Sequence, residues 1–160
     1  MLRRFKFIGT LAFLLTIPAL FFYLQKDERT RIVVQVGDKI LVLKGWYGPN
    51  KWMLPGGGIH PGEDRAVAAA RELREETGIV VEPEALTYIT SGPVKDSYGL
   101  KYKYHLYTLR LINEELVTID NFEICDSDWR TPDELIADQK GVLKATRSTL
   151  SAWRESQNLV

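Results

Sequence analysis

Three glutamates, Glu72, Glu75 and Glu76, lie three and four residues apart, shortly after the breaker run Pro55-Gly56-Gly57-Gly58. That spacing puts side chains side by side on a helix. Carboxylates crowded so closely repel one another unless a cation lies among them. The glycines ahead of them bring backbone amides close to whatever the carboxylates hold. A hard divalent cation beside free amides is what a diphosphate group needs. The ordinary reading of such glutamates is a solvated face with intrahelical pairs, Arg71–Glu75 being one in principle. The glycine run favours the cation instead. With oxygen donors alone and no Cys/His cluster, that cation is Mg²⁺ or Mn²⁺ rather than zinc.

The full spacing runs Gly57, five residues, Glu63, seven residues, Arg71-Glu72-Leu73, one residue, Glu75-Glu76, one residue, Gly78-Ile79. It matches the signature of the Nudix hydrolases at each fixed position, and the chain resembles that family. At ordinary residue frequencies the match arises by chance in on the order of one window in 10⁸. The resemblance implies that Glu72, Glu75 and Glu76 bind the metal and position the attacking water. It implies that Glu63 and Arg71 pair to hold the loop on the helix. Glu72 is the favoured general base. The family often adds an acidic ligand some six residues before a tryptophan. Glu123 stands so before Trp129, with Asp126 and Asp128 as competitors.

A helix must carry these groups. Glu63 or Asp64 can start it, since acidic residues suit the positive end of a helix. Gly78 can stop it. Ala66, Ala69, Ala70, Leu73 and Thr77 form an apolar stripe that should pack on a sheet. Ala68 and Gly78 should flank the acidic face and leave room for a ligand.

Alternating β-branched residues predict a strand over Thr30–Val36, a turn at Gly37-Asp38 and a second strand over Lys39–Lys44. Trp52–Leu54, Ala85–Ser91, Lys101–Ile112 and Phe122–Trp129 read as further strands, with residues 92–100 as a loop. Thr131-Pro132-Asp133-Glu134 carries a capping box with proline at the first helical position. Residues 141–155 read as an amphipathic helix with Val142, Leu143, Thr146, Leu150 and Trp153 inward. The residues alone give one α+β domain. The resemblance implies the α/β fold of the family, a Nudix-type α/β/α sandwich around a mixed sheet, over residues 30–160.

The 160 residues carry no net charge and no basic run interleaved with aromatics, so nucleic acid is not an expected partner. One cysteine, Cys125, excludes an internal disulfide. Phe7 to Leu24 is uncharged and almost wholly apolar, with Arg3, Arg4 and Lys6 before it and Lys26, Arg29 and Arg31 after it. Its eighteen residues are about the minimum that spans a bilayer as a helix. Residues 1–29 are therefore read as a single-pass membrane anchor and flank. A cleaved signal peptide, with Ile17-Pro18-Ala19 as a poor cleavage site, and a buried core helix are the alternatives. The near-balanced charges leave the side of the membrane open.

Substrate contacts are expected around the acidic face. Trp46, Tyr47 and Tyr104 offer rings that could stack on a base, and Lys44 could meet a phosphate. His105 reads as a strand residue without catalytic part. The expected activity is hydrolysis of a nucleoside diphosphate linked to another group, either a nucleoside triphosphate or a nucleotide sugar such as ADP-ribose. A lipid-linked diphosphate, or a Nudix-fold domain that binds without turnover, are the alternatives.

Overall fold

The computed structural model describes residues 28–46, 49–95, 101–114, 117–119 and 123–157. Strands β1 (Glu28–Val36), β2 (Lys39–Gly45), β3 (Thr87–Lys95), β4 (Lys101–Arg110) and β5 (Ile124–Arg130) form one sheet in the order β3-β4-β1-β2-β5. β1 and β4 run parallel, from Glu28 opposite Lys103 to Gln35 opposite Arg110, and the other pairings are antiparallel. The sheet is mixed, as expected. Helix α1 (Arg65–Thr77) covers one face, and α2 (Pro132–Ala137) with α3 (Lys144–Gln157) covers the other. This is the α/β/α sandwich.

Alternation along each strand feeds both cores. Ile32, Val34, Leu41, Leu43, Tyr107, Leu109 and Ile124 pack with Ala69 and Leu73 of α1. Val33, Ile40, Val42 and Leu106 pack with Trp52, Leu54, Leu135, Val142, Leu150 and Trp153. Thr131 and Glu134 form the expected capping box, with Pro132 opening α2.

One irregularity positions the site. β1 and β2 pair only beside their turn, at Gln35–Ile40 and Val36–Lys39, and then splay apart. Residues 53–59 fill the gap. Leu43 and Met53 exchange backbone hydrogen bonds of 2.9 Å. Ile32 N–H donates to Pro55 O at 2.9 Å and Thr30 N–H to Gly57 O at 2.8 Å. Ile59 N–H closes the run on Glu28 O at 3.2 Å. The glycine loop is thus held against β1 as a quasi-strand.

Several expectations change. β1 starts at Glu28, two residues before the expected strand. β3 runs on through Gly92 and Pro93, which had read as loop. Pro93 is tolerated because β3 is an edge strand, where a missing N–H costs no ladder bond. β4 stops at Arg110, and α3 starts at Lys144 rather than in residues 141–143. In α1 the buried stripe is Ala68, Ala69, Leu73, Glu76 and Thr77, with Ala66 and Ala70 only partly covered. Ala68 therefore fills core instead of leaving room for a ligand. The apolar run Phe7–Leu24 lies outside the described residues, and among those described no helix is long and apolar enough to cross a membrane.

Candidate active site

Asp64 caps α1, its side chain accepting from the amides of Ala66 and Val67, and Gly78 ends it in the left-handed region at φ 74°. Between these caps the helix presents its glutamates to the glycine loop. Glu76, buried in the α1 interface, accepts a hydrogen bond of 2.8 Å from Gly56 N–H. Gly56 takes φ 121°, and a Cβ there would lie 2.5 Å from Thr30 O, so no other residue fits. A Cβ on Gly57 would lie 2.4 Å from the Glu72 carboxylate. The two glycines are the surface on which two carboxylates rest.

Arg71 ties loop to helix. Its guanidinium donates to Glu63 at 2.8 and 3.0 Å, to Gly58 O at 2.9 Å, to Glu72 at 2.9 Å and to Glu75 at 3.1 Å. Glu63 also accepts from His60 N–H at 2.8 Å. These bonds, the arginine's first, hold the Glu63 carboxyl down at about 2. The same bond to Glu63 raises Arg71 above the usual guanidinium range. The structural pairing of Glu63 with Arg71 is thus in place.

The three glutamates are not equivalent. Burial pushes Glu76 up to about 8, with Glu72 and Glu123 adding to the rise and the Gly56 amide opposing it. Burial raises Glu72 as well, offset by Arg71 and reinforced by Glu75 and Glu123. Glu75 is half exposed and held by Arg71, the intrahelical pair of the ordinary reading. Glu123 is exposed and close enough for its charge to act on both Glu72 and Glu76. Its competitors are engaged elsewhere: Asp126 lies 3.7 Å from Lys44, and Asp128 holds Arg130 at 2.7 Å.

The donor set fits a hard divalent cation by its chemistry. Glu72, Glu76 and Glu123 are oxygen donors, and the charges of Glu72 and Glu123 raise the proton affinity of Glu76, which is the repulsion a cation relieves. Among the described residues no three His, Cys, Asp or Glu side chains are arranged to hold an ion. Arg71 holds the Glu75 carboxylate as it holds that of Glu72, from the same Nη1.

The expected substrate residues are scattered. Lys44 lies over the Trp52 ring, 3.8 Å from its centroid, on the sheet face opposite α1. Tyr104 packs on that same face. Neither is brought together with the box glutamates. Trp46 is tied through its N–H to Glu123 O at 2.8 Å, which places its backbone beside the acidic group. Tyr47 lies outside the described residues.

Two features escaped the sequence reading. Arg31 donates to Gly56 O at 2.5 Å. His105, fully buried, lies with Nε2 2.8 Å from Glu28, which also holds Arg65 at 3.0 Å. The available signal was charge placed inside strands: Glu28, Arg29 and Arg31 interrupt an otherwise β-branched run.

Fold and site together define a class of α/β/α proteins that rest an acidic helix on a glycine loop. The family model described as the NUDIX domain matches residues 26–153. Nucleoside triphosphatase NudI of Escherichia coli is 35% identical over 113 residues, covering 64% of this chain and 75% of that protein. Nudix hydrolase 25 of Arabidopsis thaliana is 35% identical over 109 residues, and the match covers 55% of this chain and 62% of that protein's length. Among solved structures, a MutT NUDIX hydrolase from Burkholderia pseudomallei superposes with TM-score 0.67 at 23% identity, covering 79% of this chain and 97% of that one. A C. elegans Ap4A hydrolase does so with TM-score 0.63 at 24% identity, covering 84% and 98%. The chain belongs to the Nudix hydrolase family.

Proposed function

We propose that this chain is a divalent-cation-dependent pyrophosphohydrolase acting on nucleoside triphosphates, tethered to a membrane by residues 7–24. The observation that carries the reading is the seating of Glu72 and Glu76 on Gly57 and Gly56, with Glu123 electrostatically coupled to both. The triphosphate assignment leans on the likeness to NudI, whose name states nucleoside triphosphatase. The tether leans on sequence alone.

The residues divide the work. Glu72, Glu75, Glu76 and Glu123 hold Mg²⁺ or Mn²⁺. When bound, the ion neutralises charge on the diphosphate oxygens. Glu72 is the general base. Its raised proton affinity suits it to take the proton of a water whose oxygen bonds to phosphorus. The bridging P–O bond breaks as that bond forms, and pyrophosphate departs from a nucleoside monophosphate. Arg71 and Glu63 keep loop and helix in register, so that positioning supplies much of the rate.

The test is a panel of nucleoside triphosphates, ADP-ribose, dinucleoside polyphosphates and an isoprenoid diphosphate, assayed with Mg²⁺ and with Mn²⁺. Monophosphate and pyrophosphate from a triphosphate are the expected products. Turnover confined to ADP-ribose or to the lipid diphosphate overturns the substrate assignment. Absence of any turnover overturns the activity.

A further inference from the structure

We infer that Arg31 is a positioning residue for the buried half of the site, acting on Glu76 through Gly56. The inference rests on Glu76 being a cation ligand. Arg31 stands in β1 between Thr30 and Ile32, and it faces away from α1 toward the opposite layer. Its guanidinium lies half buried beside Tyr102, with Cζ 5.8 Å from the ring centroid and Nη2 3.4 Å from the hydroxyl. Nη1 donates to two carbonyls, Thr30 O at 2.9 Å and Gly56 O at 2.5 Å.

Gly56 is then held on both sides: Arg31 takes its carbonyl, and the Glu76 carboxylate takes its N–H at 2.8 Å. Thr30 O blocks a Cβ at this position. A glycine has no side chain of its own to resist rotation, so its orientation comes from the groups bonded to it. The next residue, Gly57, carries the Glu72 carboxylate against its Cα. One guanidinium on the far side of the sheet therefore sets where the loop offers its amide to Glu76 and its surface to Glu72. The planar guanidinium lets Nη1 reach both carbonyls while Nη2 stands 3.4 Å from the Tyr102 hydroxyl and the group lies beside that ring, an arrangement that a lysine ammonium on a flexible stem does not reproduce.

Partners that orient metal ligands affect metal affinity and turnover by roughly 10–100-fold. The experiment compares full-length wild type, Arg31→Lys, Tyr102→Leu and Glu76→Gln. Free Mn²⁺ is followed by EPR during titration, and kcat and KM are measured on the triphosphate turned over best. Arg31→Lys should weaken Mn²⁺ uptake and lower kcat by roughly tenfold each, with KM nearly unchanged. Tyr102→Leu should act in the same direction, and it keeps the inference testable should Arg31→Lys not fold. Wild-type Mn²⁺ affinity in both variants overturns the inference, as does a rise in KM alone, which would make Arg31 a substrate contact. Were wild type to take up no Mn²⁺, or Glu76→Gln to bind it like wild type, the ligand reading of Glu76 would fail instead.

Discussion

Glu76 carries the sharpest contrast between chemistry and surroundings. A carboxyl pushed up to about 8 by burial binds a proton more tightly in the folded chain than in the unfolded one. Its contribution to stability is therefore full in acid and is lost as pH rises through about 8. Glu76→Gln removes that loss. In excess chelator the variant should match wild type at pH 4, below the ordinary carboxyl value of 4.5, and melt about 4 °C or more higher at pH 9, read by thermal denaturation, while turnover with magnesium falls by about 10²-fold or more. Equal melting at pH 9 would contradict the burial account. Glu63 has the opposite sign. Its carboxyl, held at about 2 against an ordinary 4.5, adds stability above about 4.5 that disappears as pH falls toward 2. Arg71→Met should therefore cost about 2 kcal/mol at pH 7 and much less at pH 3, in denaturant unfolding at the two pH values. The glutamates were legible in the sequence because their spacing is local. Arg31 and His105 were not, since their partners Gly56 and Glu28 lie 25 and 77 residues away.

The glycine loop separates two kinds of requirement. At Gly56 an added methyl meets backbone, Thr30 O at 2.5 Å, in a conformation that side chains rarely adopt. At Gly57 it meets the end of a side chain, the Glu72 carboxylate. Gly56→Ala should thus cost about 2 kcal/mol or more of stability, whereas Gly57→Ala should leave the melting temperature nearly unchanged and depress turnover. Melting curves and kcat on the two variants check this, and a stable, active Gly56→Ala would refute it. Strand and helix existence was readable from periodicity and from caps such as Asp64 and the Thr131–Glu134 box. What periodicity could not show is the splay of β1 from β2, because the competing partner for β1 is an irregular segment. Nor could composition reveal that Gly92 and Pro93 belong to a strand. Pairing with β4, opposite Tyr104 and Lys103, overrides their preference for turns.

At the scale of the molecule, the sheet separates two environments. α1 and the acidic groups lie on one side, and Lys44 and Tyr104 on the other. Alternation within a strand does not say which face of the sheet the glutamates adjoin, so the sequence could not show that Lys44 and Tyr104 lie on the other one. β1 starts at Glu28, so the proposed tether at residues 7–24 ends only a few residues before that strand in the sequence. Glu28 joins that first strand to the rest. Its side chain holds Arg65 at the start of α1 and the buried His105 of β4.

Calorimetric titration of the full-length protein with Mn²⁺, beside a Glu72→Gln/Glu76→Gln double variant, tests the account most directly. Wild type should show saturable uptake, and its triphosphate hydrolysis should rise along the same curve. The double variant should show neither. Hydrolysis that persists in excess chelator, or Mn²⁺ uptake equal in both proteins, would contradict the assignment of these carboxylates.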